Sequence, residues 1–428
     1  MNVAEGDESR DRLVNLTHAS FFLLVFSLGF IQLPVTILGQ NAVWTDFVFL
    51  LAGGLWLLSL VTRRLKFQWN SFYWLLSLYF VVLIISSAFS ADRKLSFFRL
   101  LAEVYLIALC VLTFNLVQTP RLLKQVVIAW LLGTGFAVVL GLSTVAAFYI
   151  YPESSLLEFL TYHYGAVPVG NYPRITATFA SASMFCNYLN VGLVMAFFSR
   201  LENWIKASTA SLLVSGIVIC SIFTISIGLG GVFLAFGVSY WLWTNSRQSI
   251  RSTMAFIGGV VAAIAFLVLS PFALAPYLGA NVAFTIPFTQ ISVLPSSRAL
   301  VWSEALGTFG ENFITGRGLG LPVANVIFVN SEGSRSLLTD AHNTFLSVAA
   351  QDGIGGLLAI VLIAGFIIRR WIVRVRNGRT AFVTTGLGLA FLCSFIYQGL
   401  MGSFEEARHL WVLVGIFLAA ERIEAKTN

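Results

Sequence analysis

The chain has 428 residues, of which 58% are hydrophobic and 11% charged, and a formal net charge of +7. Soluble domains carry about 25% charged residues, so this composition excludes an ordinary soluble globule. The positive balance would suit nucleic acid, but most of it falls in short connections between apolar runs, where membrane topology accounts for it without a nucleic-acid partner.

Runs of about 20 apolar residues, the length that crosses a bilayer as a helix, recur from end to end. They predict twelve spans, near 18–38, 43–62, 72–90, 96–117, 126–150, 177–198, 208–225, 228–245, 253–274, 346–368, 381–400 and 409–421. The expected fold class is an all-α polytopic membrane protein, with residues 1–428 forming one membrane domain. The opening "MNVAEGDESRDRLVN" has no basic n-region and no small-residue cleavage site, so the first apolar run is expected to stay as a helix. Arg99 and Glu103 lie four apart on the fourth span. Intramembrane charges are functional candidates by default, yet a pair at this spacing that neutralises itself is the simpler reading. Cys110, Cys186, Cys220 and Cys393 all fall in apolar segments and read as small packing residues.

The connections alternate in charge. Eighteen of the 26 Lys and Arg residues sit on one side, including the cluster Arg369, Arg370, Arg374, Arg376 and Arg379. Excess Lys and Arg marks the cytoplasmic side, which predicts that both termini are cytoplasmic. Two connections on the other, extracytoplasmic side are too long to be turns, a first loop over 151–176 and a large one over 275–345. Long ordered loops tend to carry function. Within the second, "SSRALVWSEALGTFGENF" puts Arg298, Trp302, Ala305 and Phe309 on one helical face. A short helix on the membrane surface beside the turn "TGRGLGLP" is expected, followed by "TDAHNTFLSVAAQDGIGGLL" leading into the next span.

Three of the four histidines, His163, His342 and His409, fall on this outer side, as do Arg174, Arg298, Arg317, Arg335 and Arg408. The large loop holds three arginines against Glu304, Glu311, Glu332 and Asp340, so it is no generic basic patch. Anion binding there requires individually aimed guanidinium groups, whose planar fork grips phosphate oxygens in pairs. The sequence has no Asp-x-Asp pair, no zinc-spaced histidines and no Gly-x-Ser-x-Gly elbow, and "TGRGLG" has the wrong spacing for a nucleotide loop. Neither a metal nor another cofactor is expected.

These residues bear a resemblance to a family. "SSRALVWSEAL", then a Gly-containing turn, then "DAHNTFLSVAAQDGIGGLL" resembles the O-antigen ligase and O-antigen polymerase superfamily, whose pattern is Arg-x-x-x-Trp followed by His-Asn-x-aromatic-Leu. "PRITATFASASMFCNYL" and "GSFEEARHLWVLVGIFLA" resemble two further segments, so the likeness covers the chain from Pro173 onward. It implies a GT-C-like, metal-independent glycosyltransferase in the bacterial inner membrane with an extracytoplasmic active site. The donor would be an undecaprenyl-diphosphate-linked glycan, and the acceptor a lipid A-core or another glycan. His342 would take a proton from the attacking hydroxyl, and Arg298 would meet the charge of the leaving diphosphate. Arg174, Arg317, Asn343 and Trp302 would help to bind substrate. In the family the turn after the seventh span carries Ser-Arg-Gly, and here Ile227 stands where that Arg would be.

Other readings stand beside this one. His342 and Asn343 could serve only the helix start, Arg174 and Arg298 could anchor to lipid headgroups, and Arg317 could be a solvated turn residue. In another class, the chain could be a transporter or an inactive scaffold. The charge asymmetry has a direct check: cysteines placed at Ser297 or Ser336 should react with an impermeant thiol reagent added outside intact cells, whereas one at Asn377 should not. The reverse labelling pattern would invert the topology.

Overall fold

The computed structural model describes residues 2–29, 35–37, 40–153, 157, 160–164, 172–226, 231, 235, 237, 258, 284–285, 292–293, 298–329, 335–376, 382–402 and 407–427. The predicted spans near 228–245 and 253–274, apart from residues 231, 235, 237 and 258, lie outside the described residues, as does Ile227. Eleven helices are described: α1 (Asn2–Ser27), α2 (Trp44–Val61), α3 (Phe72–Phe89), α4 (Arg93–Leu116), α5 (Pro120–Ile150), α6 (Ala182–Leu201), α7 (Ala207–Phe223), α8 (Arg298–Glu311), α9 (Thr344–Arg376), α10 (Phe382–Met401) and α11 (Arg408–Thr427). Among the described residues, six stretches are long and apolar enough to cross a membrane: Trp44–Val61, Phe72–Phe89, Arg93–Leu116, Pro120–Ile150, Ala182–Leu201 and Thr344–Val375. Arg12–Ser27, Ala207–Phe223 and Phe382–Tyr397 are shorter apolar helices. This is a helical membrane protein with little sheet.

The first span departs from the sequence reading. Its helix stops at Ser27, and Val35–Ile37 is a strand, β1, paired antiparallel with β2 (Gln40–Ala42). Gly29 explains the stop. A side chain there would meet the Gly133 carbonyl at 2.7 Å, and the Gly29 carbonyl accepts a hydrogen bond from Thr178 at 2.7 Å. The close approach of α5 therefore ends α1 well before the apolar run ends.

Side-chain caps start α4, α5 and α6. Asp92 accepts from Leu95 N, Thr119 from Leu122 N ahead of Pro120, and Ser181 from Met184 N. Each satisfies a backbone donor that the first helical turn leaves open.

The long loops pack at one end of the bundle, here called the loop end. There α3 meets α9 through Ser86 and Gln351, α2 meets α11 through Asp46 and Arg408, and α6 meets α11 through Asn187 and His409. The opposite, basic end is tied by Arg374 to Glu421, Arg422 to the carbonyls of Phe114 and Val117, and Val383 N to Glu202. Some arginines that read only as topology signals thus also hold helices together.

The core lies around α11. Leu410, Trp411, Val412, Leu413, Val414, Ile416 and Phe417 are all fully buried. A helix that is apolar on every side is a central one. Gly415 permits its contact with α4, because a side chain there would lie 2.6 Å from Thr113 Cβ.

Helix α9 is 33 residues long and broken at Gly353, whose φ of 68° and ψ of −166° are not helical. The glycine-rich turn fills the break. Arg317 N and Gly318 N donate to the carbonyls of Ala350 and Gln351 at 2.8 and 3.0 Å, and Ile354 N donates back to Phe313 O. Gly320 N reaches the Gln351 side chain, while Ser96 Oγ holds the Leu319 carbonyl. Gly316, Gly318 and Gly320 all have positive φ. The 151–176 loop holds a hairpin of β3 (Thr161–Tyr164) and β4 (Tyr172–Ile175). The large loop carries two more strand pairs, β5 (Phe284–Thr285) with β6 (Ser292–Val293) and β7 (Val326–Val329) with β8 (Arg335–Leu338), beside α8. These strand pairs differ from the short helices expected there.

Gly353 and Gly365 offer a paired test. A Cβ on Gly353 would lie 2.3 Å from the Ile314 carbonyl oxygen and sit at positive φ, whereas Gly365 has open space around it. Gly353→Ala should cost on the order of 2–4 kcal/mol. Gly365→Ala should be neutral or stabilising by about 0.5–1 kcal/mol. Thermal unfolding in detergent measures both.

Candidate functional site

Two polar groups meet at the loop end, joined by α8. The first surrounds Arg298, the first residue of α8. It is partly buried, and Tyr397 of α10 and Arg174 of β4 are near enough to act on its charge. Burial pulls the Arg298 guanidinium below its usual range; Tyr397 opposes that shift and the Arg174 charge adds to it. Arg174 is held by its Nε, which donates to the Thr224 carbonyl at 3.0 Å. The Tyr397 hydroxyl and Ser226 Oγ are 2.8 Å apart, and Ser183 Oγ lies 3.2 Å from Ser226. Guanidinium and hydroxyl groups are hydrogen-bond donors of the kind that bind an anion.

The second group is the turn before α9. His342 has a positive φ of 46°. Its backbone N–H donates to Asp340 Oδ1 at 2.9 Å, and its Nδ1 lies 3.1 Å from Asp340 Oδ2. The His342 side chain is 61% exposed, so a substrate can reach it. Burial pushes the Asp340 carboxyl up, but its bonds to His342 and the charge of Arg99 bring it below its ordinary value. A carboxylate held on Nδ1 makes Nε2 the ring nitrogen able to accept a proton.

Trp302 connects the two groups. It is buried one helical turn after Arg298, and its indole N–H donates to the Ala341 carbonyl at 2.7 Å, the residue before His342. Val301, Ala305, Ala341, Ala350 and Tyr397 pack around it. The predicted face of α8 is thus present, and this bond links Arg-x-x-x-Trp to His-Asn.

Asn343 is buried and caps α9, accepting from Leu346 N at 3.2 Å and donating to the Leu400 carbonyl at 3.4 Å. Arg317 donates to the Pro322 carbonyl at 3.1 Å, while its backbone N–H and that of Gly318 are committed to the α9 break. The glycine-rich turn is therefore not arranged as a phosphate nest. His409, read as an outer-face group, is fully buried, with Nε2 2.7 Å from Asn187 Oδ1. Burial against α6 removes it from any surface site. Arg408 pairs with Asp46 at 3.0 Å. His163 stands opposite Pro173 in the β3–β4 register.

Sequence reasoning passed over Tyr397, Ser226 and Ser183. Ser226 was within reach, since it immediately precedes Ile227 in the turn compared with Ser-Arg-Gly. Among the described residues no group of three or more His, Cys, Asp or Glu side chains could hold a metal ion. No protein-family model matches the chain, and comparison with curated proteins gives no match.

The Asp340 arrangement predicts a pH dependence. A carboxyl held below its free value contributes stability that is present above that value and lost as pH falls through the lowered one. The gap in thermal stability between the wild type and Asp340→Asn should therefore persist from about pH 7 to about pH 5 and close only under stronger acid. A gap that closes already near neutral pH would show that Asp340 does not hold this charge.

Proposed function

We propose that the protein transfers a glycan from an undecaprenyl-diphosphate carrier to an acceptor hydroxyl, as the likeness to O-antigen ligases implies. The observation that carries this reading is the bond from the Trp302 indole to the Ala341 carbonyl, which ties the helix that begins at Arg298 to the turn that holds His342 and Asp340. In this reading His342, oriented by Asp340, takes the proton of the attacking hydroxyl. Arg298 and Arg174 take up the negative charge that grows on the diphosphate as the glycosidic bond breaks. With Ile227 in place of the family Arg, Arg174 carries the missing charge.

The finer architecture belongs to the same proposal: about twelve spans in a GT-C-like arrangement, in the bacterial inner membrane, with both termini cytoplasmic and the loop end outside. The acceptor is a lipid A-core or, for a polymerase of the same superfamily, a growing glycan. A transporter is the second reading. It is favoured by the break in α9 beside the buried side chain of Asp352, because broken helices line transporter sites.

The test is detergent-purified protein given an undecaprenyl-diphosphate glycan and an acceptor, with release of undecaprenyl diphosphate measured. Detergent offers no second compartment, so turnover there rules out a pure carrier. His342→Ala should lower the rate by about 10²–10⁴-fold, and Arg298→Ala by about 10–100-fold. Arg298→Lys should also be impaired, because a point charge does not reproduce the fork. Wild-type rates in His342→Ala would remove its catalytic role.

A further inference from the structure

Away from the loop end, a groove of about 410 Å³ opens between α6 and α7. Its lining is mostly apolar, with Phe197 and Leu201 from α6 facing Ala207, Ala210 and Val214 from α7. Arg200 lies at its rim, and Lys206 precedes α7 at the same end. We propose that this groove binds one anionic phospholipid of the bilayer, its phosphate on Arg200 and Lys206 and an acyl chain along the trough.

The shape follows from side-chain size. Ala207, Ala210 and Val214 recur at helical spacing on α7, so that face presents little bulk opposite Phe197 and Leu201. The trough suits a flexible hydrocarbon chain, whose contacts there are dispersion contacts with both helices.

The charge follows from the turn. Arg200 and Lys206 are exposed, while Glu202, the acid between them, accepts a hydrogen bond from Val383 N at 3.2 Å and so turns toward α10. Arg200 donates to Asn203 Oδ1 at 2.7 Å. That bond braces a guanidinium that carries five N–H donors in total. Basic sites between membrane helices on the lysine- and arginine-rich side select anionic headgroups.

The groove is separate from the site of the proposed reaction. Helix α6 is 20 residues long, about 30 Å from end to end. Arg200 stands at one end of it, while Ser183, beside Ser226, stands at the other. A diphosphate held by Arg298 therefore does not occupy this groove, and the proposal does not depend on the proposed function.

The experiment reconstitutes the full chain in phosphatidylcholine bilayers containing a minority of phosphatidylglycerol, then counts co-purifying lipids by native mass spectrometry. Wild-type protein should retain phosphatidylglycerol well above its bulk share. Arg200→Gln and Lys206→Gln should each reduce that enrichment by about fivefold, the value of one basic residue near a charged membrane surface. Ser211→Phe fills the groove from an exposed position without changing charge, and should also abolish the enrichment. If either charge variant fails to fold, Ser211→Phe decides. No enrichment in the wild type, or equal enrichment in wild type and Ser211→Phe, overturns the proposal.

Discussion

A helix broken inside a membrane protein exposes carbonyl groups that lipid cannot satisfy, and this constraint organises the loop end. At Gly353 the carbonyls of Ala350 and Gln351 take their donors from the turn that contains Arg317 and Gly318. Unsatisfied backbone groups at membrane depth cost several kcal/mol each, so the break and the turn stabilise one another. The turn approaches closely enough only because Gly316 and Gly353 lack side chains, and Gly318 lets it pack on Ser90. The large loop is thus docked into the bundle by its own backbone.

That docking gives the candidate site its geometry. Once the turn is seated, α8 lies against the start of α9, and Trp302 closes on the Ala341 carbonyl. Arg298 and His342 come from segments more than forty residues apart, yet both are positioned by this one packed unit. Tyr397 shares the same small core and meets Ser226, while Arg174 donates to the carbonyl of Thr224, two residues before Ser226. A catalytic arrangement needs such support, because groups on an undocked loop would not hold their spacing.

Much of this was legible in the sequence, for physical reasons that also mark where it stopped. Apolar run length gave most helices, and the spacing of Arg298, Trp302 and Ala305 gave the buried face of α8. The end of α1 was not legible, because it depends on the contact between Gly29 and Gly133, more than a hundred residues apart. Nor was the burial of His409, whose partner Asn187 lies 222 positions away. The "TGRGLG" spacing fits no nucleotide loop, but spacing alone did not reveal that its positive-φ glycines serve to dock the turn into the break of α9. Only the structure shows where the freed N–H groups point. Likewise, Arg370 and Arg374 read correctly as a basic cluster, but their pairing with Glu421 needed three dimensions.

The central claim is that the arginines at the loop end hold a lipid-linked diphosphate. The most direct measurement is a cryo-electron microscopy map of the protein in lipid nanodiscs with undecaprenyl diphosphate added. The account predicts diphosphate density within hydrogen-bonding distance of both Arg298 and Arg174, with the isoprenoid tail leaving into the bilayer. Density seated elsewhere, with neither arginine in contact, would contradict it.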